Sequence, residues 1–256
     1  MDLGLQNRRA LVMGSSSGLG RQIARVLIEE GSAVAVHSRS EERAEAARVA
    51  LGASSAIAAD LTEEGAAEHL VQRAVAELGG LDVLVVNTGG GGVGSLATKG
   101  SADDDRAYAA MLRPTLAAMR AAIPALVKSD QARIIVLTAR SVVEASTDLA
   151  LSSVFRSGVA AAARSLALEL APTVLVNVVV TGQFETGALQ RFEQAKADLE
   201  GTTPEDVRRK HIDGIPLGRV GRAEELADVV AFLAGSRSSF ITGTSIRVDG
   251  GSVIGF

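Results

Sequence analysis

Short apolar runs alternate with longer amphipathic stretches along this chain. ALVM (10–13), AVAVH (33–37), AIAA (56–59), VLVVN (83–87), RIIVLT (133–138), VLVNVVV (174–180) and SIRVD (245–249) have the length and β-branched content of strands. Most are apolar throughout, as expected of strands covered on both faces. Between them, apolar positions recur with helical spacing over 19–30, 41–51, 63–78, 103–128, 152–170 and 222–234. Strand and helix alternate, which predicts an α/β fold: a Rossmann-type, doubly wound parallel sheet of about seven strands with helices on both faces. Without an internal repeat or a linker of biased composition, residues 1–256 read as a single domain. The polar stretch 186–221 interrupts the rhythm after a strand. Its position fits a lid-like insertion over a ligand or a surface helical excursion, and the pattern leaves both open.

Composition narrows the classes. Among 256 residues, 47% are hydrophobic, enough for one large core, and the net charge of −4 argues against a nucleic-acid footprint. Cysteine is absent, so no thiolate metal site or disulfide framework is expected; the three histidines are scattered and read as ordinary residues, and no metal is expected. The first residues lack a signal-like apolar segment, and no run reaches the roughly 18 apolar residues of a membrane span. The expectation is a cytoplasmic protein with neither a membrane nor a nucleic-acid partner.

The stretch VMGSSSGLGRQ places Gly14, Gly18 and Gly20 between the first strand and the first helix. Gly14 suits a tight turn, Gly18 lets backbone approach a pyrophosphate, and Gly20 opens a helix whose amides and dipole favour an anion. Ser15, Ser16 and Ser17 add hydroxyls. This G-x3-G-x-G spacing resembles the cofactor loop of the short-chain dehydrogenases/reductases. The resemblance continues in AADLT (58–62), VNTGG (86–90), VNVVVTGQFET (176–186), GRVGRAEELADVVAFLAG and SSFITGTSIRVDGG. It implies a dinucleotide held by Gly14, Ser16, Ser17, Gly18, Leu19 and Gly20, with Asp60 and Leu61 at the adenine, and Asn87, Gly89, Gly182 and Thr186 toward the nicotinamide.

At the end of the second strand, an acid would select NAD(H) by binding ribose hydroxyls. Ser38 stands there, followed by Arg39, whose guanidinium can clamp a 2′-phosphate. NADP(H) is therefore expected ahead of NAD(H), the competing role for Arg39 being a local ion pair with Glu41 or Glu42.

The family's proton-transfer set is Asn, Ser, Tyr and Lys. Aligned through the flanking motifs, those positions hold Met111, Ala139, Ser152 and Arg156. None keeps its usual residue. Ser141 lies two positions beyond Ala139 and, with Ser152 and Arg156, forms the candidate catalytic set. Some relatives in the family carry a serine and an arginine in a similar helix. A serine is a weaker acid than a phenol, and an arginine stays protonated. The resemblance implies that Arg156 also binds the cofactor, as a positive charge near the nicotinamide ribose, and it could grip a carboxylate or phosphate on a substrate, helped by Arg140 or Lys99 unless these are solvated surface charges. Tyr108, the sole tyrosine, could face the site or pack on its helix. The glycine run TGGGGVGS (88–95) could line the pocket or form a mobile loop.

Two activities are expected from these features, beside a non-redox lyase or isomerase reusing the pocket, which nothing in the sequence selects. One is an NADP(H)-dependent oxidoreductase acting on a carbonyl/alcohol pair of a small molecule with a non-standard proton donor. The alternative is a catalytically silent nucleotide-binding sensor or partner subunit. The resemblance also implies a homodimer or homotetramer built through the helices at 103–128 and 152–170.

Overall fold

The computed structural model describes residues 1–90 and 92–254. Its strands are β1 (Arg9–Val12), β2 (Ala33–Ser38), β3 (Ser55–Ala58), β4 (Val83–Val86), β5 (Ala132–Ala139), β6 (Val174–Thr181) and β7 (Ser245–Val248). They form one seven-stranded sheet in the order β3-β2-β1-β4-β5-β6-β7, every pair parallel. The helices are α1 (Gly18–Glu29), α2 (Glu41–Leu51), α3 (Ala66–Leu78), α4 (Ser101–Ala107), α5 (Arg113–Leu126), α6 (Ala150–Leu170), α7 (Gly187–Glu200), α8 (Pro204–Asp213) and α9 (Ala223–Ala234).

The continuous apolar runs exist because the central strands are covered twice. On one face, Leu11, Ile57, Leu84, Ile134 and Val176 pack under α3, α5 and α6. On the other, Val12, Val34, Val85, Ile135 and Val179 pack under α1, α2 and α9. The strand order reverses direction between β1 and β4, which opens a crevice at the carboxyl edge there. All loops carrying candidate residues leave from that edge.

Local signals set the helix ends. Ser40 accepts a hydrogen bond from the Arg43 amide at the start of α2, and Gly52 closes it at φ +69°. The single helix expected over 103–128 is instead divided. Residues Tyr108–Leu112 make a wide π-turn between α4 and α5. Pro114 has no amide to give the Ala110 carbonyl, and the Thr115 hydroxyl takes the Met111 carbonyl at 2.7 Å. The polar stretch 186–221 folds as α7 and α8, capped by Thr186 and Thr203.

Candidate functional site

The loop between β1 and α1 is built for close approach. Gly14 and Gly18 adopt φ +63° and +55°, where a side chain would be strained. A Cβ on Gly20 would lie 2.3 Å from the Gly14 carbonyl oxygen, so only glycine lets α1 begin here. The first intrahelical bond comes from the Arg21 amide to Ser17. Among the described residues, the amides of Ser16, Ser17, Gly18, Leu19 and Gly20 have no hydrogen-bond partner, and the Ser17 hydroxyl makes no cap. Unpaired donors at a helix N-terminus are suited to an anion.

His37 secures this loop from β2. Its Nδ1 accepts the Gly14 amide at 2.8 Å, and its Nε2 donates to the Ala59 carbonyl at 3.0 Å. Ser15 is buried beneath the loop; its hydroxyl donates to the Val12 carbonyl and accepts the His37 amide. The reading of all three histidines as ordinary residues therefore misses this one, which is 2% exposed. The available signal was an imidazole near the end of a strand whose preceding residues, Ala33 to Val36, are all apolar.

At the tip of β2, Ser38 is buried and Arg39 is exposed. Arg39 makes no ion pair with Glu41 or Glu42 among the described residues; it acts electrostatically on Asp60. The Thr62 amide and hydroxyl both donate to Asp60, and those bonds hold its carboxylate below the usual range.

Across the crevice, the Asn87 amide group donates to the Gly14 carbonyl at 3.4 Å. Thr186 caps α7 through the Leu189 amide, and its methyl lies 3.6 Å from the position of a Cβ on Gly18. Residues 168 positions apart thus share one wall. Gly182 passes so close to Asp249 that a Cβ would meet its Cα at 2.6 Å.

The candidate catalytic residues come together at the β5–α6 edge. Ser152 sits in the first turn of α6, and its hydroxyl is 3.3 Å from that of Ser141; both are buried. Arg156, one turn further on the same face, donates to the Gly89 carbonyl at 2.9 Å and the Leu137 carbonyl at 3.3 Å. It has no carboxylate partner among the described residues. Burial pulls its pKa to about 10, still a full cation near neutrality. Met111 is buried in an apolar cluster with Ala107 and Leu151. Tyr108 contacts Phe155 at 6.2 Å between ring centres and lines a cleft of about 530 Å³ beside α3 and α5, whose lining includes neither Ser152 nor Arg156.

Polar contacts tie α7 and α8 to this edge. Lys196 on α7 pairs with Asp148, just before α6, at 2.6 Å. The Asp148 carbonyl accepts the Gly94 amide at 2.7 Å, which anchors the glycine run; Gly91 of that run lies outside the described residues. Lys99 lies 4.0 Å from Asp103, and Arg140 acts electrostatically on His211. His211 faces the buried Glu193 at 3.5 Å; burial lowers its pKa against the pull of that carboxylate. Sequence reasoning gave no sign of the Lys196–Asp148 contact, because nothing in spacing joins residues so distant.

The comparisons agree with this geometry. The family model described as Enoyl-(Acyl carrier protein) reductase matches residues 14–253. The chain is 31% identical to the 3-oxoacyl-(acyl-carrier-protein) reductase FabG of Aquifex aeolicus, across 98% of this chain and 99% of that one. It is 26% identical to the NADPH-dependent reductase BacG of Bacillus subtilis, across 97% of this chain and 99% of that one. The crystal structure of YwfH, an NADPH-dependent reductase involved in bacilysin biosynthesis, superposes with a TM-score of 0.90 at 26% identity, covering 98% of this chain and 100% of that one. A doubly wound parallel sheet, a glycine-rich loop at its switch point and full-length similarity converge on one assignment: the chain belongs to the short-chain dehydrogenase/reductase family.

Proposed function

We propose that the chain is an NADP(H)-dependent oxidoreductase that interconverts a carbonyl and an alcohol on a small molecule, with Ser152 as proton donor. The observation that carries this reading is the placement, along one sheet edge, of an open amide cradle and a buried hydroxyl pair beside a half-buried arginine with no carboxylate partner among the described residues. The cradle fits a dinucleotide. Free amides from Ser16 to Gly20 suit a diphosphate, and the glycines leave room that side chains would fill. Arg39, free of its helix neighbours, suits a 2′-phosphate. NADPH dependence of the Bacillus subtilis relative and of YwfH supports the same coenzyme.

The nicotinamide, when bound, supplies or accepts the hydride. The remaining work falls to the chain. Asn87 fixes the Gly14 carbonyl, and Thr186 closes the wall opposite Gly18. Arg156 holds the Gly89 loop against β5 and places a permanent cation at the site, which suits a developing alkoxide or an anionic substrate group. Ser152 gives its proton to the substrate oxygen and takes one from Ser141, 3.3 Å away, which is reprotonated in turn from bulk water. Its place in the first turn of α6 favours the transient negative charge, because the helix dipole is positive there. Helices α7 and α8 serve as the lid, held to the α6 edge by Lys196 and Asp148.

The test is titration with NADPH and NADH by coenzyme fluorescence, aided by the absence of tryptophan, followed by a screen of ketones and acyl thioesters for NADPH consumption. Tight NADPH binding with turnover supports the reading. Turnover unchanged by both Ser152→Ala and Arg156→Ala removes these residues from the chemistry. A second reading, a silent nucleotide-binding subunit, is favoured by the apolar packing of Met111, Ala107 and Leu151; tight binding with no turnover on any substrate supports it. We further propose assembly as a homodimer or homotetramer through α5 and α6. Val154 and Leu168 are 52% and 69% exposed on α6, fourteen residues apart and so on one face. A monomeric mass in light scattering contradicts assembly.

A further inference from the structure

We propose that His37 is a positioning residue for the diphosphate cradle, so that coenzyme affinity depends on its ring remaining neutral. The inference rests on the dinucleotide reading above. It starts from three bonds between one residue and one loop. The His37 amide donates to the Ser15 hydroxyl at 2.8 Å, its carbonyl accepts the Ser15 amide at 3.0 Å, and its Nδ1 accepts the Gly14 amide at 2.8 Å. The far ring nitrogen donates to Ala59, at the end of β3. An acceptor on one side and a donor on the other fix a single tautomer, with the proton on Nε2.

The consequence runs through Gly14. Its amide is committed to the ring, which fixes the Met13–Gly14 peptide, while the Ser15 amide on the His37 carbonyl fixes the Gly14–Ser15 peptide that follows. The Gly14 carbonyl then faces Asn87 on one side and the start of α1 at Gly20 on the other. The amides of Gly18, Leu19 and Gly20 inherit their direction from that contact. Protonating Nδ1 sets an N–H against the Gly14 N–H, donor against donor, and the loop must turn away.

Burial already holds the ring below the ordinary histidine value of 6.5, opposed by the Ala59 bond and by Asp60. Asp60 is the charged group acting on the ring, with Arg39 acting on Asp60 in turn; Ser15, Gly14 and Ala59 are its neutral neighbours from β1 and β3. A depressed value in the folded protein means that the neutral ring and the aligned cradle persist at neutral pH. Both are lost only as pH falls through that lowered value, where the buried ring takes up a proton.

The experiment has two arms. In the ligand-free protein, 15N NMR of the histidine rings at neutral pH reports the His37 tautomer: Nε2 protonated and Nδ1 bare is expected, and the opposite tautomer or a cationic ring overturns the proposal. In the second arm, dissociation constants for NADPH and for NADH are measured across mildly acidic to neutral pH for the native protein and for His37→Leu. The native constants should rise as pH falls, in parallel for both coenzymes because they share the diphosphate. His37→Leu should weaken both by about tenfold at neutral pH, the worth of one lost hydrogen bond, and should flatten the pH dependence. Native binding with an unaltered variant overturns the role of His37 alone. Failure of the native protein to bind either coenzyme overturns the dinucleotide reading and this inference with it. Should His37→Leu not fold, the tautomer and the native pH profile still decide.

Discussion

Arg156 and Ser152 show how much one residue's identity settles and how much its neighbours add. The sequence placed a serine and an arginine one turn apart on α6, which was legible from the flanking RSLALELA motif. It could not show that the guanidinium spans two backbone carbonyls, at Gly89 and Leu137, or that Ser141 meets Ser152. Ser152→Ala removes the hydroxyl but no backbone contact. Its kcat should fall by roughly 10²–10⁴ while the NADPH dissociation constant stays within about twofold, as read by stopped-flow and fluorescence titration. Arg156→Leu strands two carbonyls, and chemical denaturation should record a loss of about 1–3 kcal/mol. The glycine cradle gives a second prediction of stability. Gly20→Ala forces a methyl against the Gly14 carbonyl, so it should cost about 1–3 kcal/mol and abolish coenzyme fluorescence enhancement.

At the scale of elements, the wide turn between α4 and α5 is the main departure from the periodic pattern. Hydrophobic spacing continues through residues 108–112, so periodicity alone joined the two helices. Pro114 was the visible signal of interruption, yet proline also begins many helices, and only the fold shows which role it takes. The released Met111 carbonyl is taken by Thr115. Thr115→Val keeps the volume and deletes the bond, so urea denaturation should register a loss of about 1 kcal/mol. Helix α7 offers a contrasting case. Its tie to the α6 edge is the Lys196–Asp148 pair, partly exposed and therefore weak in stability. Lys196→Met should leave the melting temperature within a few degrees but raise KM for the screened substrate more than it lowers kcat, as steady-state kinetics would show if α7 closes over the site.

For the whole molecule, the two edges of the sheet divide the labour. The carboxyl edge carries the open amides, the hydroxyl pair and the unneutralised arginine. The opposite edge is locked by Asp82, whose carboxylate receives the Arg9 side chain and amide at 2.7–2.8 Å. Burial raises the Asp82 pKa, but those donors and Ser129 overcome it and hold the group at about 2. A folded value below the ordinary 3.8 gives stability that is complete above that pH and lost as pH falls toward 2. At this partly open edge the contribution is about 1–2 kcal/mol after screening. Asp82→Asn should therefore lower stability at pH 7 and show a shallower loss between pH 4 and pH 2 in acid-denaturation curves.

The sequence by itself determined the sheet, its layered helices and the anion-binding loop. These follow from local causes: β-branched runs, helical spacing, and glycines where no side chain fits. Its motifs also led to the expectation of Ser152 and Arg156, in place of the family's tyrosine and lysine, at the head of α6. Tertiary structure decided what surrounds those positions. His37 joins Gly14 to Ala59, Thr186 faces Gly18, Arg156 bridges two loops, and Lys196 reaches Asp148. Each is a contact between segments far apart in the chain, brought within hydrogen-bond or van der Waals reach only when parallel strands stack their carboxyl ends side by side. No periodicity encodes such a meeting, because its geometry belongs to the sheet rather than to any one stretch of sequence.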